Sequence, residues 1–368
     1  MGKLKAFFQR KDIIFSGKRY GIDAMGAMAQ GLFCTLLVGT ILNTLGQQFN
    51  IGFLNATIAT IGKGEGATSY TIGGLASAMV GPGIAIAIGY ALHCPPLVLF
   101  SLIPVGFATN AMGGAGGPLA VYVVAIVASE CGKLISKETK IDILVTPIVT
   151  ILVGIGLAAL VAEPIGTAAS AVGEAVKWAT QQQPLLMGML VSVIIGIALT
   201  LPISSAAICA ALNLTGLAGG AAVAGCCAQM VGFAVMSYRE NRLGGLVAQG
   251  IGTSMLQMPN IIKNPKVWIP PILTSAITGP IATCLFKMEM NGSAVSSGMG
   301  TCGFVGQIGV YTGWLNDIAA GTKASITAFD WVGLILICFI LPAILTWIFS
   351  EILRKIGWIK ENDLKLDL

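Results

Sequence analysis

Two short stretches set a carboxylate beside small hydroxylated residues at the end of an apolar run. One is Glu289-Met-Asn291-Gly292-Ser293-Ala294-Val-Ser296; the other is Glu163-Pro-Ile-Gly166-Thr167-Ala168-Ala-Ser170. Both follow the pattern Glu-x-x-Gly-(Thr/Ser)-Ala-x-Ser. An ionisable group inside a bilayer is costly, so such an acid is a functional candidate by default. Glu289 can accept a hydrogen bond from a ligand hydroxyl, with Asn291 and Ser293 adding further contacts. Where a phosphoryl donor reaches the site, Glu289 can also act as a base. The plainer readings are an interfacial loop acid for Glu289 and a helix-end residue, before Pro164, for Glu163.

Neutral amides form a second group. Gln229, Gln249, Gln257 and Gln307 lie beside apolar runs, and an amide both donates and accepts, which suits a hydroxyl-rich solute. The same amides serve equally as glue between helices. Ser204 and Ser205 follow Pro202, where a broken helix frees backbone carbonyls for a ligand; packing by small residues is the alternative. Asn260 and Asn264 flank Lys263 and suit an inner gate or a solvated surface. Asn110 and Asn213 fit glycine turns. His93, the single histidine, caps a span end or relays a proton. Tyr70, Trp268, Tyr311 and Trp314 fit sugar stacking and interfacial anchoring alike. The nine cysteines fall in apolar runs with no histidine cluster, which calls for no metal and no cofactor.

These residues need a membrane scaffold. Hydrophobic residues make up 55% of the 368 and charged residues 10%, with a mean hydropathy of +0.85, far below the charge content of soluble domains. The fold class is therefore all-α and polytopic, with about ten transmembrane helices. Expected spans lie near 22–46, 70–93, 95–109, 117–131, 143–162, 184–201, 203–214, 216–236, 267–287 and 328–350, on the rule of roughly 20 apolar residues per crossing. The span at 203–214 is short and needs irregular backbone. Residues 164–183, 243–259 and 291–314 read as re-entrant, amphipathic or interfacial elements. Basic clusters at 1–20, 133–140, 239–242 and 354–355 then share one side, so both termini are expected in the cytoplasm. A polar connection, Lys63-Gly-Glu65-Gly, links the first two spans. The positive net charge of +5 belongs to these loops and carries no nucleic-acid inference.

An internal repeat supports this layout. Gly89-x-Ala91-Leu92-x-x-Pro95 matches Gly196-x-Ala198-Leu199-x-x-Pro202. Asn110-x-x-Gly113-x-x-Gly116-Gly117 matches Asn213-x-x-Gly216-x-x-Gly219-Gly220. Pro147-Ile148 matches Pro271-Ile272, and the two acidic stretches close the units. The copies occupy about 70–173 and about 184–298 and run the same way through the bilayer, a parallel repeat. The chain divides into a basic arm (1–20), a transport domain (21–350) and a tail (351–368).

Several longer motifs are specific. They include Leu201-Pro-Ile-Ser204-Ser205, Gln229-Met-Val-Gly232, Ser237-Tyr-Arg239-Glu240-Asn241 and Gly252-Thr-Ser-Met-Leu-Gln257-Met-Pro-Asn260-Ile-Ile-Lys-Asn264-Pro. Ser136-Lys-Glu138-Thr-Lys-Ile-Asp142 and Gly298-Met-Gly300-Thr-Cys-Gly303-Phe-Val-Gly306-Gln307 belong with them. Together they resemble the bacterial phosphotransferase-system EIIC-like family that includes perfringolysin regulator-like membrane proteins, over about 15–350. The resemblance implies a permease subunit in the bacterial inner membrane that binds a small polar solute, a carbohydrate, and works as a homodimer. Separate soluble partner subunits would supply the phosphoryl group; no catalytic domain and no Gly-Ile-Thr-Glu loop of glucose-type permeases is recognisable. The substrate-binding set expected is Glu289, Asn291, Ser293, Gln307, Gln229, Gln257, Ser204, Ser205 and Glu163. An ion- or proton-coupled secondary transporter and a membrane ligand sensor or regulator remain the competing readings.

Overall fold

The computed structural model describes residues 2–62 and 67–366; the Lys63-Gly-Glu65-Gly connection lies outside the described residues. Among the described residues the strands are Ala59–Ile61 and Thr68–Tyr70, which pair antiparallel, and the rest is helix and connecting chain. Among the described residues, six helices are long and apolar enough to cross a membrane: Arg19–Gln48, Pro96–Ile135, Asp142–Thr180, Gly216–Met236, Pro265–Leu285 and Ala328–Lys355. A seventh candidate is a pair, Ile72–Ala78 and Val80–Ala91, bent by 53°. The bend falls at Met79, where φ −86 and ψ 13 leave the helical range.

The helices gather into two compact units. The first comprises residues 1–39 and 74–169, the second 40–73 and 170–368. In the first unit, Pro96–Ile135 doubles back on itself. Gly114 adopts φ +50, a value that glycine reaches without steric cost, and starts the turn. Beyond it Gly117 returns against Asn110 and Gly132 against Val98, so the halves form an antiparallel hairpin. The Val80–Ala91 helix packs on this hairpin through Gly81. A Cβ there would stand 2.1 Å from the carbonyl oxygen of Gly106. Without a hydrophobic drive inside lipid, close backbone approach of this kind is what holds helices together.

In the second unit the centre is Gly216–Met236, buried without interruption from Gly219 to Met230. Its Gly225 lies so close to Pro184–Thr200 that a Cβ would meet the Ser192 carbonyl oxygen at 1.9 Å. Pro184–Thr200 in turn meets Ile269–Pro280 through Gly188 and Gly279. One end of this three-helix core is closed by chain pairing: Gly216 and Met290 exchange backbone hydrogen bonds at 3.0 Å. From there the chain folds inward as the short helix Ala294–Ser297, turns, and returns as Val305–Ala319. The turn is tight, with left-handed backbone at Gly300, Gly303 and Phe304.

Two sequence expectations need correction. The helix Asp142–Thr180 is continuous over 39 residues, so it neither stops at Glu163 nor yields to a separate element at 164–183. Proline inside a helix removes one hydrogen bond and clashes with one carbonyl, yet membrane helices tolerate it where neighbouring helices or Ser and Thr side chains satisfy the freed groups. The expected span near 203–214 contains only the seven-residue helix Ser205–Ala211. At 1.5 Å per residue that covers about 10 Å, a third of a hydrocarbon core. The remaining path from Thr200 to Gly216 is irregular chain. After Lys355 the chain reverses at Gly357, φ +81, and residues 358–366 lie on the second unit.

Candidate functional site

Gln229 sits at the middle of the buried helix Gly216–Met236, fully enclosed. Its Oε1 accepts hydrogen bonds from Trp268 Nε1 at 2.9 Å and Thr200 Oγ1 at 3.3 Å, and its Nε2 faces Ser275 Oγ at 3.4 Å. Thr200 Oγ1 also meets Ser254 Oγ at 2.8 Å. Five uncharged polar groups from four segments thus converge inside an apolar unit. Thr200 is delivered by the end of Pro184–Thr200, just before the proline that breaks the helix. Ser254 arrives on the irregular stretch that follows a π-helical turn at Ala248–Gly252. Of this cluster the sequence reasoning identified Gln229 and considered Trp268 as a stacking ring. It missed Thr200, Ser254 and Ser275, because single hydroxyls inside apolar runs carry no spacing signal.

The inward-folded segment contributes Gln307. Its side chain is 8% exposed; Nε2 reaches Cys227 Sγ at 3.2 Å, while Oε1 faces no protein donor. Ser205 Oγ donates to the Gly298 carbonyl at 2.7 Å and so ties the short helix to this segment. Ser204 caps the same helix by accepting from Ala207 N at 3.2 Å. Both serines therefore have structural duties at the broken passage. At the outer lip of the segment Asn291 gathers the acids: its Nδ2 lies 3.0 Å from Glu289 Oε2 and 3.0 Å from Asp317 Oδ2. Asn291 Oδ1 accepts from Gly216 N at 3.1 Å. Glu289 and Ser293 are exposed.

The structure therefore divides the expected set. Gln229 joins a buried cluster; Gln307, Ser204 and Ser205 belong to the broken passage and inward segment; Glu289, Asn291 and Ser293 form a rim. Gln257 is elsewhere. Its Nε2 donates to Gln249 Oε1 at 2.8 Å and to the Leu364 carbonyl at 3.0 Å, and its Oε1 accepts from Asn260 at 2.8 Å. Glu163 lies in the first unit, exposed on a continuous helix, where its carbonyl accepts from Thr167 at 3.0 Å.

The first unit holds a charged cluster of different character. Arg19 grips Asp12 through two nitrogens, at 3.1 and 2.7 Å, and donates to the Leu92 carbonyl at 2.7 Å. Lys133, fully buried, reaches the carbonyls of Asp12 and Leu92 at 3.0 Å each and Glu130 at 2.9 Å. The Arg19 hydrogen bonds hold the Asp12 carboxyl down at about 2, helped by the His93 ring 3.1 Å away. Lys11 and Arg10 lower Glu138 likewise. A cleft of about 320 Å³ opens here between Arg10, Lys11, His93 and Lys137. His93 adopts φ +56 just beyond its helix, and its exposed ring bonds to Asp12.

Among the described residues no group of histidine, cysteine or acidic side chains is arranged to hold a metal ion. Neither the comparison with curated proteins nor that with solved structures found a match. A family model described as phosphotransferase system, EIIC, matches residues 22–366, which takes in both units and nearly every residue discussed above. The apolar helices and this match agree on a multi-pass membrane protein. The chain belongs to the phosphotransferase-system EIIC family, the sugar permease component that works in the membrane with the other proteins of that system.

Proposed function

We propose that the second unit binds a small polar solute, a carbohydrate, and carries it across the bilayer by alternating access, with phosphorylation supplied by separate partner subunits. The observation that carries this reading is the chemistry buried in that unit. The polar groups enclosed around Gln229 are an amide, an indole and hydroxyls with no ion among them, and the Gln307 acceptor has no protein donor. A buried acceptor left unpaired costs about 1–3 kcal/mol, a cost that a solute hydroxyl would offset on binding. Neutral amides discriminate for hydroxyl groups because each offers a donor and an acceptor at fixed geometry. Glu289, Asn291 and Ser293 would form the rim through which the solute enters, and Glu289 would be the base if the phosphoryl group is transferred there.

The reading treats the two copies, about 70–173 and about 184–298, as a duplicated scaffold with some ten passages through the membrane. Residues 291–314 would be its re-entrant element and the helix at 205–211 part of a broken passage. Glu163 enters only as the counterpart of Glu289. The homodimer, and the bacterial inner membrane with both termini in the cytoplasm, belong to the same proposal.

A thermostability screen of the purified protein against sugars, polyols and organic acids tests it, since a ligand stabilises the fold according to its affinity. Sugars or polyols are expected to raise the melting temperature. Substituting Gln307→Leu or Glu289→Ala should remove that rise while the unliganded protein still melts cooperatively. An undiminished rise in both variants would overturn the site. Uptake into liposomes without any carrier protein would favour ion coupling instead.

A further inference from the structure

Residues 358–366 are bound as a peptide would be bound. Two apolar side chains anchor the segment, Ile359 and Leu364, both enclosed. Its backbone is read by side-chain amides from residues 241–264. Asn241 forms a two-way clasp, with Nδ2 donating to the Leu364 carbonyl at 2.7 Å and Oδ1 accepting from Leu366 N at 2.8 Å. Gln257 donates to the same Leu364 carbonyl at 3.0 Å, and Asn260 to the Lys365 carbonyl at 2.9 Å. Asn264 holds the near end, through the Trp358 carbonyl at 2.9 Å and the Asp363 carboxylate at 2.8 Å. The Lys266 ammonium lies 5.0 Å from the centre of the Trp358 ring.

The host stretch is helix broken into short pieces, with Tyr238–Val247 and Met258–Lys263 its α-helical parts. Between Tyr238 and Trp268 it passes through a kink at Arg242, a π-helical turn, extended backbone at Thr253 and Asn264, and two 3₁₀ turns. The bound segment supplies carbonyls to four of the host's amides and closes the ladder Gln249–Gln257–Asn260.

We propose that Asn241, Gln257, Asn260 and Asn264 form a peptide-binding groove, specific for a segment that turns at Asn362 and carries a leucine anchor, which residues 358–366 occupy in cis as a latch on the 238–268 stretch. Ser254, midway along that stretch, touches Thr200 of the Gln229 cluster, so the latch also holds one wall of that cluster. This last consequence rests on the solute reading above; the groove itself does not.

The test uses the full-length protein in nanodiscs and a fluorescent peptide with the sequence of residues 358–366. In the L364D variant the latch loses its anchor, and the free groove should bind the peptide saturably. Wild type, with the groove filled, should bind it at least about tenfold more weakly, a difference of one decade in Kd. Adding N241A to L364D should abolish the binding. A second variant, L366P, removes the backbone N–H that Asn241 receives while leaving both anchors in place. It should speed amide hydrogen exchange across 238–268 at least about tenfold and leave 96–135 unchanged. Peptide binding that is equal in wild type and L364D, or no binding to folded L364D, overturns the groove. Unaltered exchange in L366P overturns the latch. Neither readout involves a solute, so the permease reading stands or falls separately.

Discussion

The first unit gathers a charged cluster around Asp12 and Lys133; the second builds a neutral one around Gln229, apart from its own ion pair Glu240–Arg354. Around Asp12, Arg19, Lys133 and Glu130 each ion faces an opposite charge or a carbonyl, all near the basic arm and the 133–140 loop. Around Gln229 no ion is present, and hydroxyls and amides share hydrogen bonds of 2.8 to 3.4 Å. The difference is one of exchangeability. A buried ion pair cannot release a partner without exposing a bare charge. An amide cluster can trade one neutral partner for another at a net cost near zero, which is what binding a hydroxylated solute demands.

Lys133→Met tests the charged side and should have the largest effect. The variant leaves Glu130 beside apolar surface and frees two carbonyls, and removing one partner of a buried pair costs about 3–5 kcal/mol. A fall of that order is expected in unfolding experiments in detergent. The double variant K133M/E130L should recover most of it. If K133M alone is neutral, the fold does not depend on this buried ion pair.

Gln229→Leu comes next. It strands the Trp268 indole N–H and the Thr200 hydroxyl, at about 1–3 kcal/mol for a donor left unmade. The loss should be smaller than for Lys133, because the hydroxyls can turn to carbonyls already near them: Thr200 to Gly196, and Ser275 to Pro271.

Acid titration separates the units further. The Asp12 carboxyl is depressed from 3.8 to about 2 in the folded protein. Its contribution is present above 3.8 and disappears as pH falls through about 2, because the unfolded chain takes up the proton first. The shift corresponds to roughly 2.4 kcal/mol at 1.36 per pH unit. With the side chain 42% exposed, solvent screening reduces this to about 1. Asp12→Asn should flatten the stability profile between pH 4 and about 2 by that amount. An unchanged slope would mean that the arm does not dock through this carboxylate.

Much of this was legible from residue order, and the exceptions have physical causes. Apolar run length located the helices at 19–48, 96–135, 216–236, 265–285 and 328–355. Glu163-Pro164 looked like an end because proline usually ends helices in water, yet Asp142–Thr180 runs through it. Gln229 and Gln307 were identifiable as amides in apolar surroundings. Thr200, Ser254 and Ser275 were not, since they meet only through folding, across 46 to 54 residues of chain in two of the contacts. The latch was invisible for the same reason. Its donors lie about a hundred residues from the carbonyls they hold, and no periodicity links them.

Gln307→Leu should have the smallest effect on stability, and for that reason separates the two kinds of polar burial most sharply. The side chain has a single modest contact, Nε2 to Cys227 Sγ, and an acceptor with no donor. Removing both replaces a desolvated oxygen by methyl groups of similar bulk. The lost contact is offset by the relieved acceptor, and the melting temperature should stay level or rise slightly. A residue that maintains the fold would not behave so; Lys133 is the contrast. If Gln307→Leu leaves stability intact while the sugar-dependent rise in melting temperature vanishes, the amide is held in place for a ligand. If instead the variant unfolds, Gln307 is helix glue, and the neutral cluster loses its claim to differ in purpose from the charged one.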